Sequence, residues 1–234
     1  MAMSLADRGV DVIVTYRGNA DGAQEVVEHI RKAGRKAAAL QLDVGDAAAF
    51  DGFEDRLRST LSEMDADKLD FLVNNAGHGA HAPFVETTPE QLQGLVDVHF
   101  IGPFLLTQRV VGLLRDGGRI LNVSSGLARF TFPGYAAYAA VKGAVEVLTR
   151  YQAKELATRG ITVNAIAPGY VPSAMSDGLA MYKESEEIAK SGIPLRRKGA
   201  PQDMAGAALF LSSNAGAWIT GTTVRVDGGF LAKL

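Results

Sequence analysis

Tyr138 and Lys142 stand four residues apart, so on a helix a phenol and an ammonium share one face. A free phenol titrates near ~10, and a neighbouring cation lowers that value by favouring the phenolate. Tyr138 then becomes a proton donor or acceptor usable near neutrality. Taken alone, the pair reads equally as a tyrosine packed on a sheet and a lysine in solvent. Its context favours chemistry. Thirteen positions before Tyr138, Ser125 closes an apolar run at 119–125, which places it at the carboxyl edge of a strand, where open parallel sheets bind ligands. A hydroxyl there donates to a substrate carbonyl oxygen and polarises the carbon for hydride attack.

Holding these groups together requires a sheet with helices on it. Runs rich in Val and Ile at 10–16, 36–43, 70–75, 119–125, 161–167 and 222–227 alternate with stretches of helical period. That alternation is the signature of βαβ units, and the near-continuous apolar character of the runs implies burial on both faces. The expected fold class is α/β, a Rossmann-like doubly wound parallel sheet in three layers. Residues 23–33 put Val26, Val27 and Ile30 on one face ahead of Gly34, and Phe50, Phe53, Leu57 and Leu61 repeat at helical spacing. Thr88, Pro89 and Glu90 read as N-cap, N1 proline and first-turn acid, opening a long helix toward Leu114 that Pro103 should kink. Further helices are expected at 136–157 and 202–211. Residues 172–200 form a polar, irregular insert with Met175, Met181 and Tyr182 scattered through it, a length usually functional or mobile. With 234 residues, 47% of them hydrophobic, residues 1–234 suit one domain.

Composition excludes several classes. The 24 basic and 26 acidic residues nearly cancel, and no long block of one sign suggests a nucleic-acid surface. Arg196, Arg197 and Lys198 read as a solvated loop. Cysteine is absent, which rules out disulfides, Cys-ligated zinc and thiol catalysis and leaves the reducing cytoplasm as the default compartment. Asp7, Arg8 and Asp11 make the first residues neither a signal peptide nor a membrane span, so no membrane partner is expected. His78 and His81 follow the 70–75 run in a loop near the site, but neither they nor His29 have the spacing of a metal set.

Several spaced motifs together resemble the short-chain dehydrogenase/reductase family over essentially the whole chain. The family's Asn-Asn-Ala-Gly stands at Asn74, Asn75, Ala76 and Gly77, its serine at Ser125, its Tyr-xxx-Lys at Tyr138 and Lys142, and its Pro-Gly at Pro168 and Gly169. The endings Ile219-Thr220-Gly221 and Val226-Asp227-Gly228-Gly229 are similar to its last strand. The resemblance implies hydride transfer between a nicotinamide and a small-molecule carbonyl or alcohol, with Tyr138 exchanging the proton and Lys142 also holding the nicotinamide ribose. It further implies that Asp43 and Val44 flank the adenine, that Asn75, Ala76 and Gly77 line the cofactor, and that Val171 offers its backbone to the carboxamide. Ser173 takes the place of the family's threonine there. Arg17, at the end of the first run, can pair with a 2′-phosphate, which favours NADP(H), with NAD(H) possible. A homotetramer is implied through the helices near 90–114 and 136–157, with Val110, Val111, Val145 and Leu148 as candidate contacts.

The chain departs from that pattern in two places. His99 stands where the family has a catalytic asparagine; it can hydrogen-bond a water and add a group titrating near pH ~6 to 7, or simply pack in the core. At the front, residues 1–8 read as the tail of a helix ending at Gly9, and the strand and glycine-rich turn that would bind a pyrophosphate are not in the sequence. The expectation is that the chain from Met1 lacks the central strand and binds cofactor weakly. The alternative function is a truncated or non-catalytic Rossmann-like protein.

Overall fold

A computed structural model describes residues 1–172 and 192–233. The described elements are α1 (Ala2–Ala6), β1 (Val12–Tyr16), α2 (Ala20–Lys32), β2 (Ala37–Gln41), α3 (Phe53–Glu63), β3 (Leu69–Asn74), α4 (Pro89–Val96), α5 (Gly102–Val110), β4 (Leu114–Val123), α6 (Ala136–Leu156), β5 (Thr162–Pro168), α7 (Pro201–Ser212) and β6 (Thr223–Val226). Every strand runs parallel to its paired neighbour. Local chemistry sets the helix starts. The Asn19 side chain accepts from Gly22 N at 2.9 Å to open α2, and Thr88 and Gln91 form a reciprocal capping box at α4, with Pro89 in the first turn.

Two layers of helices cover the strands. Phe53, Leu57 and Leu61 of α3 pack with Phe50, Leu42, Leu106 and Val110, which is the repeat visible in the sequence. Phe50 itself closes a 3₁₀ turn, Ala47–Phe50, because Gly52 takes φ +69 before α3 begins. On the other side, Val27 and Ile30 of α2 pack with Ala6 and Ala37, and Ala208 and Leu211 of α7 cover Leu121 and Ile166.

Three features differ from the periodicity. The long helix is not continuous: α4 passes through a π-helix, Asp97–Ile101, into α5 and then a 3₁₀ turn, Val111–Leu113. Pro103 lacks an N–H and its ring crowds the carbonyl of residue 99, so the preceding turn widens instead of simply kinking. Gly102 lets that turn lie against the loop after β2, where a Cβ would come within 2.5 Å of the Val44 carbonyl oxygen. Strand β4 starts earlier than 119 and stops before Ser125, with its register to β3 shifting between Leu69 and Phe71. Val110, Val145 and Leu148, candidates for a subunit interface, are at most 8% exposed within the single chain. Their apolar faces are already used by the core, and the exposed apolar residues on the same helices are Phe104, Val147 and Tyr151.

The strands form two ladders, β2–β1 and β3–β4–β5–β6. β1 and β3 face each other across a cavity of about 690 Å³ without pairing. Ile13 of β1 and Leu69 and Leu72 of β3 pack against the same core cluster. Among the described residues no helix is long and apolar enough to cross a membrane.

Candidate active site

The carboxyl ends of the strands gather the residues singled out by type and spacing. Arg17 follows β1, Asp43 and Val44 follow β2, and Asn75, Ala76 and Gly77 follow β3. Ser125 follows β4, Pro168 ends β5, and Gly169 and Val171 come directly after it. Ser173 lies outside the described residues, as do Met175, Met181 and Tyr182.

Helix α6 carries Tyr138 and Lys142 on the face that meets this edge, and both side chains are buried. Lys142 Nζ donates to the Val123 carbonyl at 2.7 Å and lies 5.7 Å from the centre of the Tyr138 ring. Burial disfavours the ammonium and lowers its pKa from 10.5 to about 8. Ser125 is extended, and its Oγ accepts from Leu127 N at 3.2 Å, capping the 3₁₀ turn Gly126–Ala128. That bond uses a lone pair and leaves the hydroxyl proton to be donated. Leu127 in turn packs against Tyr138, Leu95 and Val141, so the serine turn and the tyrosine share one wall.

The π-helix turns His99 inward, where it is 1% exposed. Its Nε2 lies 2.8 Å from the His78 carbonyl oxygen and 3.3 Å from the His78 backbone nitrogen, while the buried Nδ1 has no partner among the described residues. The ring stands edge-on to Tyr138, centroids 5.3 Å apart at 87°. Gly77 is pressed against it, since a Cβ there would come within 2.5 Å of His99 Cε1. Desolvation, and then the charge of Lys142, push the His99 pKa down to about 3. It therefore stays neutral and does not supply the group titrating near neutrality that its type suggested. The His78 pKa is lowered by desolvation and then by the charges of Arg17 and Lys142, so Arg17 acts on the loop after β3. His81 lies edge-on to Tyr135, centroids 5.0 Å apart. Among the described residues no group of three His, Cys, Asp or Glu could hold a metal ion.

Two buried networks behind the site escaped the sequence. Asn74 Nδ2 donates to Asn122 Oδ1 at 2.8 Å and to Thr107 Oγ1 at 3.1 Å, and Asn122 Nδ2 donates to Thr149 Oγ1 at 2.9 Å. This chain of side chains ties β3 to β4 and β4 to α6, the helix of Tyr138. Glu146, one turn beyond Lys142, accepts from Arg129 Nη2 at 2.5 Å and from Ser124 Oγ at 3.1 Å. It thereby fixes the backbone next to Ser125. The signal in the sequence is an asparagine beside apolar residues in each of three strands, Asn74, Asn122 and Asn164.

Known proteins are similar to this chain over nearly its whole length. A family model described as enoyl-(acyl carrier protein) reductase matches residues 1–231. The 3-oxoacyl-(acyl-carrier-protein) reductase of Synechocystis is 37% identical over 98% of this chain and 90% of that protein. A Serratia marcescens short-chain dehydrogenase/reductase superposes with a TM-score of 0.88 at 33% identity, covering 98% of this chain and 91% of the other. The angucycline C-6 ketoreductase LanV, solved with bound NADP, gives 0.89 at 34% identity over 98% and 90%. With the family model spanning nearly its whole length and these relatives above 30% identity, the chain belongs to the short-chain dehydrogenase/reductase family.

Proposed function

We propose that the protein interconverts a small-molecule carbonyl and a secondary alcohol with NADP(H), using Ser125, Tyr138 and Lys142. The observation that carries this reading is the buried Lys142 ammonium held beside the Tyr138 ring at the end of β4, next to the Ser125 turn. Ser125 Oγ–H donates to the carbonyl oxygen and orients it. Tyr138 Oη–H gives its proton to that oxygen as the carbon is reduced, and takes it back in the reverse direction. The Lys142 charge stabilises the phenolate left behind. Neutral His99 holds the loop after β3 and packs against the Tyr138 ring. The intact arrangement of these groups disfavours the non-catalytic alternative.

The donor set fits the two ends of the cofactor. Arg17 is an exposed cation whose carbonyl is pinned by Gln41 Nε2 at 3.0 Å, suited to a 2′-phosphate, with Asp43 and Val44 beside the adenine. Lys142 and Tyr138 suit the nicotinamide ribose, Pro168, Gly169 and Val171 the carboxamide end, and Asn75, Ala76 and Gly77 the stretch between. When bound, NADPH supplies the hydride. Arg17→Asp is expected to lower the NADPH-over-NADH ratio of kcat/KM about 10- to 100-fold. An unchanged ratio in steady-state kinetics would remove Arg17 from the cofactor site.

The same reading takes residues 1–234 as one domain acting in the cytoplasm, assembled as a homotetramer. Phe104, Val147 and Tyr151, exposed on α5 and α6, are the contacts expected to be covered. Light scattering at micromolar concentration should give a tetramer mass, with Tyr151→Glu shifting it toward smaller species. A monomer mass for the parent protein contradicts the assembly.

A further inference from the structure

Glu146 is a buried carboxylate that the proton chemistry above leaves unused. Tyr138, Lys142 and Glu146 stand at i, i+4 and i+8 on α6, which puts all three on one helix face. The Glu146 side chain is 4% exposed, against 54% for its partner Arg129. Taking a carboxylate out of water is costly, and an aliphatic side chain of similar volume commonly serves stability as well or better.

The two oxygens of this carboxylate hold the two ends of one short segment. Oε1 accepts from Ser124 Oγ at 3.1 Å and Oε2 from Arg129 Nη2 at 2.5 Å, and Ser125 lies between those ends. The Ser124 hydroxyl is also 3.2 Å from the Lys142 carbonyl oxygen, and the Ser124 N–H donates to the Ile166 carbonyl at 2.8 Å. One end of the segment is thus tied to α6 and β5 together. At the other end, Arg129 N donates to the Gly126 carbonyl at 2.9 Å, closing the turn that Ser125 Oγ caps. Gly126 packs closely inside that turn, since a Cβ there would come within 2.8 Å of the Phe130 ring and 3.3 Å of the Pro168 carbonyl oxygen.

We propose that Glu146 is a positioning residue for the reduction: its carboxylate staples the 124–129 segment to α6 and so sets the Ser125 hydroxyl in place relative to Tyr138 and Lys142. The proposal rests on the reading of Ser125, Tyr138 and Lys142 given above. In this role Glu146 transfers no proton and acts through Ser125. Such placement matters because an error of about 1 Å at a reacting group costs on the order of 100-fold in rate.

Glu146→Leu removes both bonds, whereas Glu146→Gln keeps an oxygen for Ser124 and loses the ion pair with Arg129. Neither variant strands a buried donor, because Arg129 reaches solvent and Ser124 retains the Lys142 carbonyl. With NADPH and an acetoacetyl thioester, kcat should fall about 30- to 100-fold in Glu146→Leu and less than about tenfold in Glu146→Gln, while the NADPH Kd stays within about twofold. Hydrogen exchange in Glu146→Leu should quicken at the amides of Leu127 and Arg129 and stay unchanged at Leu121 and Val123. A double-mutant cycle with Ser125→Ala then separates positioning from a general structural role: Glu146→Leu should lower the kcat of the Ser125→Ala protein by less than about threefold. Additive losses in that cycle, a Glu146→Leu kcat within about threefold of the parent, unchanged exchange at Leu127, or a loss of NADPH affinity as large as the loss of turnover would each overturn the proposal. A Ser125→Ala protein as active as the parent would overturn the catalytic reading itself, and the proposal with it.

Discussion

Replacing Tyr138 with phenylalanine is expected to lower turnover by about two to four powers of ten while leaving the fold in place. The ring is held by Leu95 and Val141 and by the edge of His99, and phenylalanine preserves all of these contacts. What disappears is the hydroxyl proposed to carry the proton to and from the substrate oxygen. NADPH affinity, read by fluorescence titration, should change little. A Tyr138→Phe protein within about threefold of the parent rate would place the proton elsewhere.

Lys142→Met separates function from stability. Lys142 is 5% exposed, and a pKa lowered from 10.5 to about 8 means that the folded state disfavours its charge. The unfolded chain then binds more protons between pH 8 and 10.5 than the folded one, so stability rises as pH climbs through that window. At neutral pH the buried ammonium costs on the order of 3 kcal/mol. Methionine fills the space without the charge. Turnover should fall by about two powers of ten or more, while Tm at pH 7 stays level or rises and the gain in stability between pH 8 and 10.5 disappears. A Tm several degrees lower with activity retained would make Lys142 a structural residue.

The strands were legible because a parallel sheet covered on both faces needs nearly continuous Val and Ile runs, and those at 10–16 and 161–167 could be little else. The start of β4 was not, because the apolar run begins only at 119 and it is the pairing of Leu114 with Leu69 that draws Arg115, Asp116, Gly117 and Gly118 into the strand. The π-helix was hidden for a related reason. Pro103 signals a disturbance, but its form depends on how closely Gly102 approaches Val44, a tertiary contact. Helical periodicity also marks an apolar face without saying what covers it, which is why Val145 and Leu148 suggested an interface and proved to be core. In the site, Tyr138 and Lys142 announced themselves by spacing and Ser125 by its place at a strand end. Asn122 and Thr149 could not, since only the pairing of Asn74 with Asn122 brings the amides together. The neutrality of His99 follows from burial, which residue type alone does not convey.

Hydride transfer by this constellation is tested most directly by isotope. The protein is mixed with NADPH carrying deuterium at C4 of the nicotinamide and with an acetoacetyl thioester, and the alcohol product is analysed by mass spectrometry and NMR. Deuterium should appear on the carbinol carbon, with the hydroxyl proton drawn from solvent, and the transfer should vanish in Tyr138→Phe. A product without deuterium, or transfer that persists unchanged in Tyr138→Phe, would contradict the assignment of Ser125, Tyr138 and Lys142 as the groups that carry the reaction.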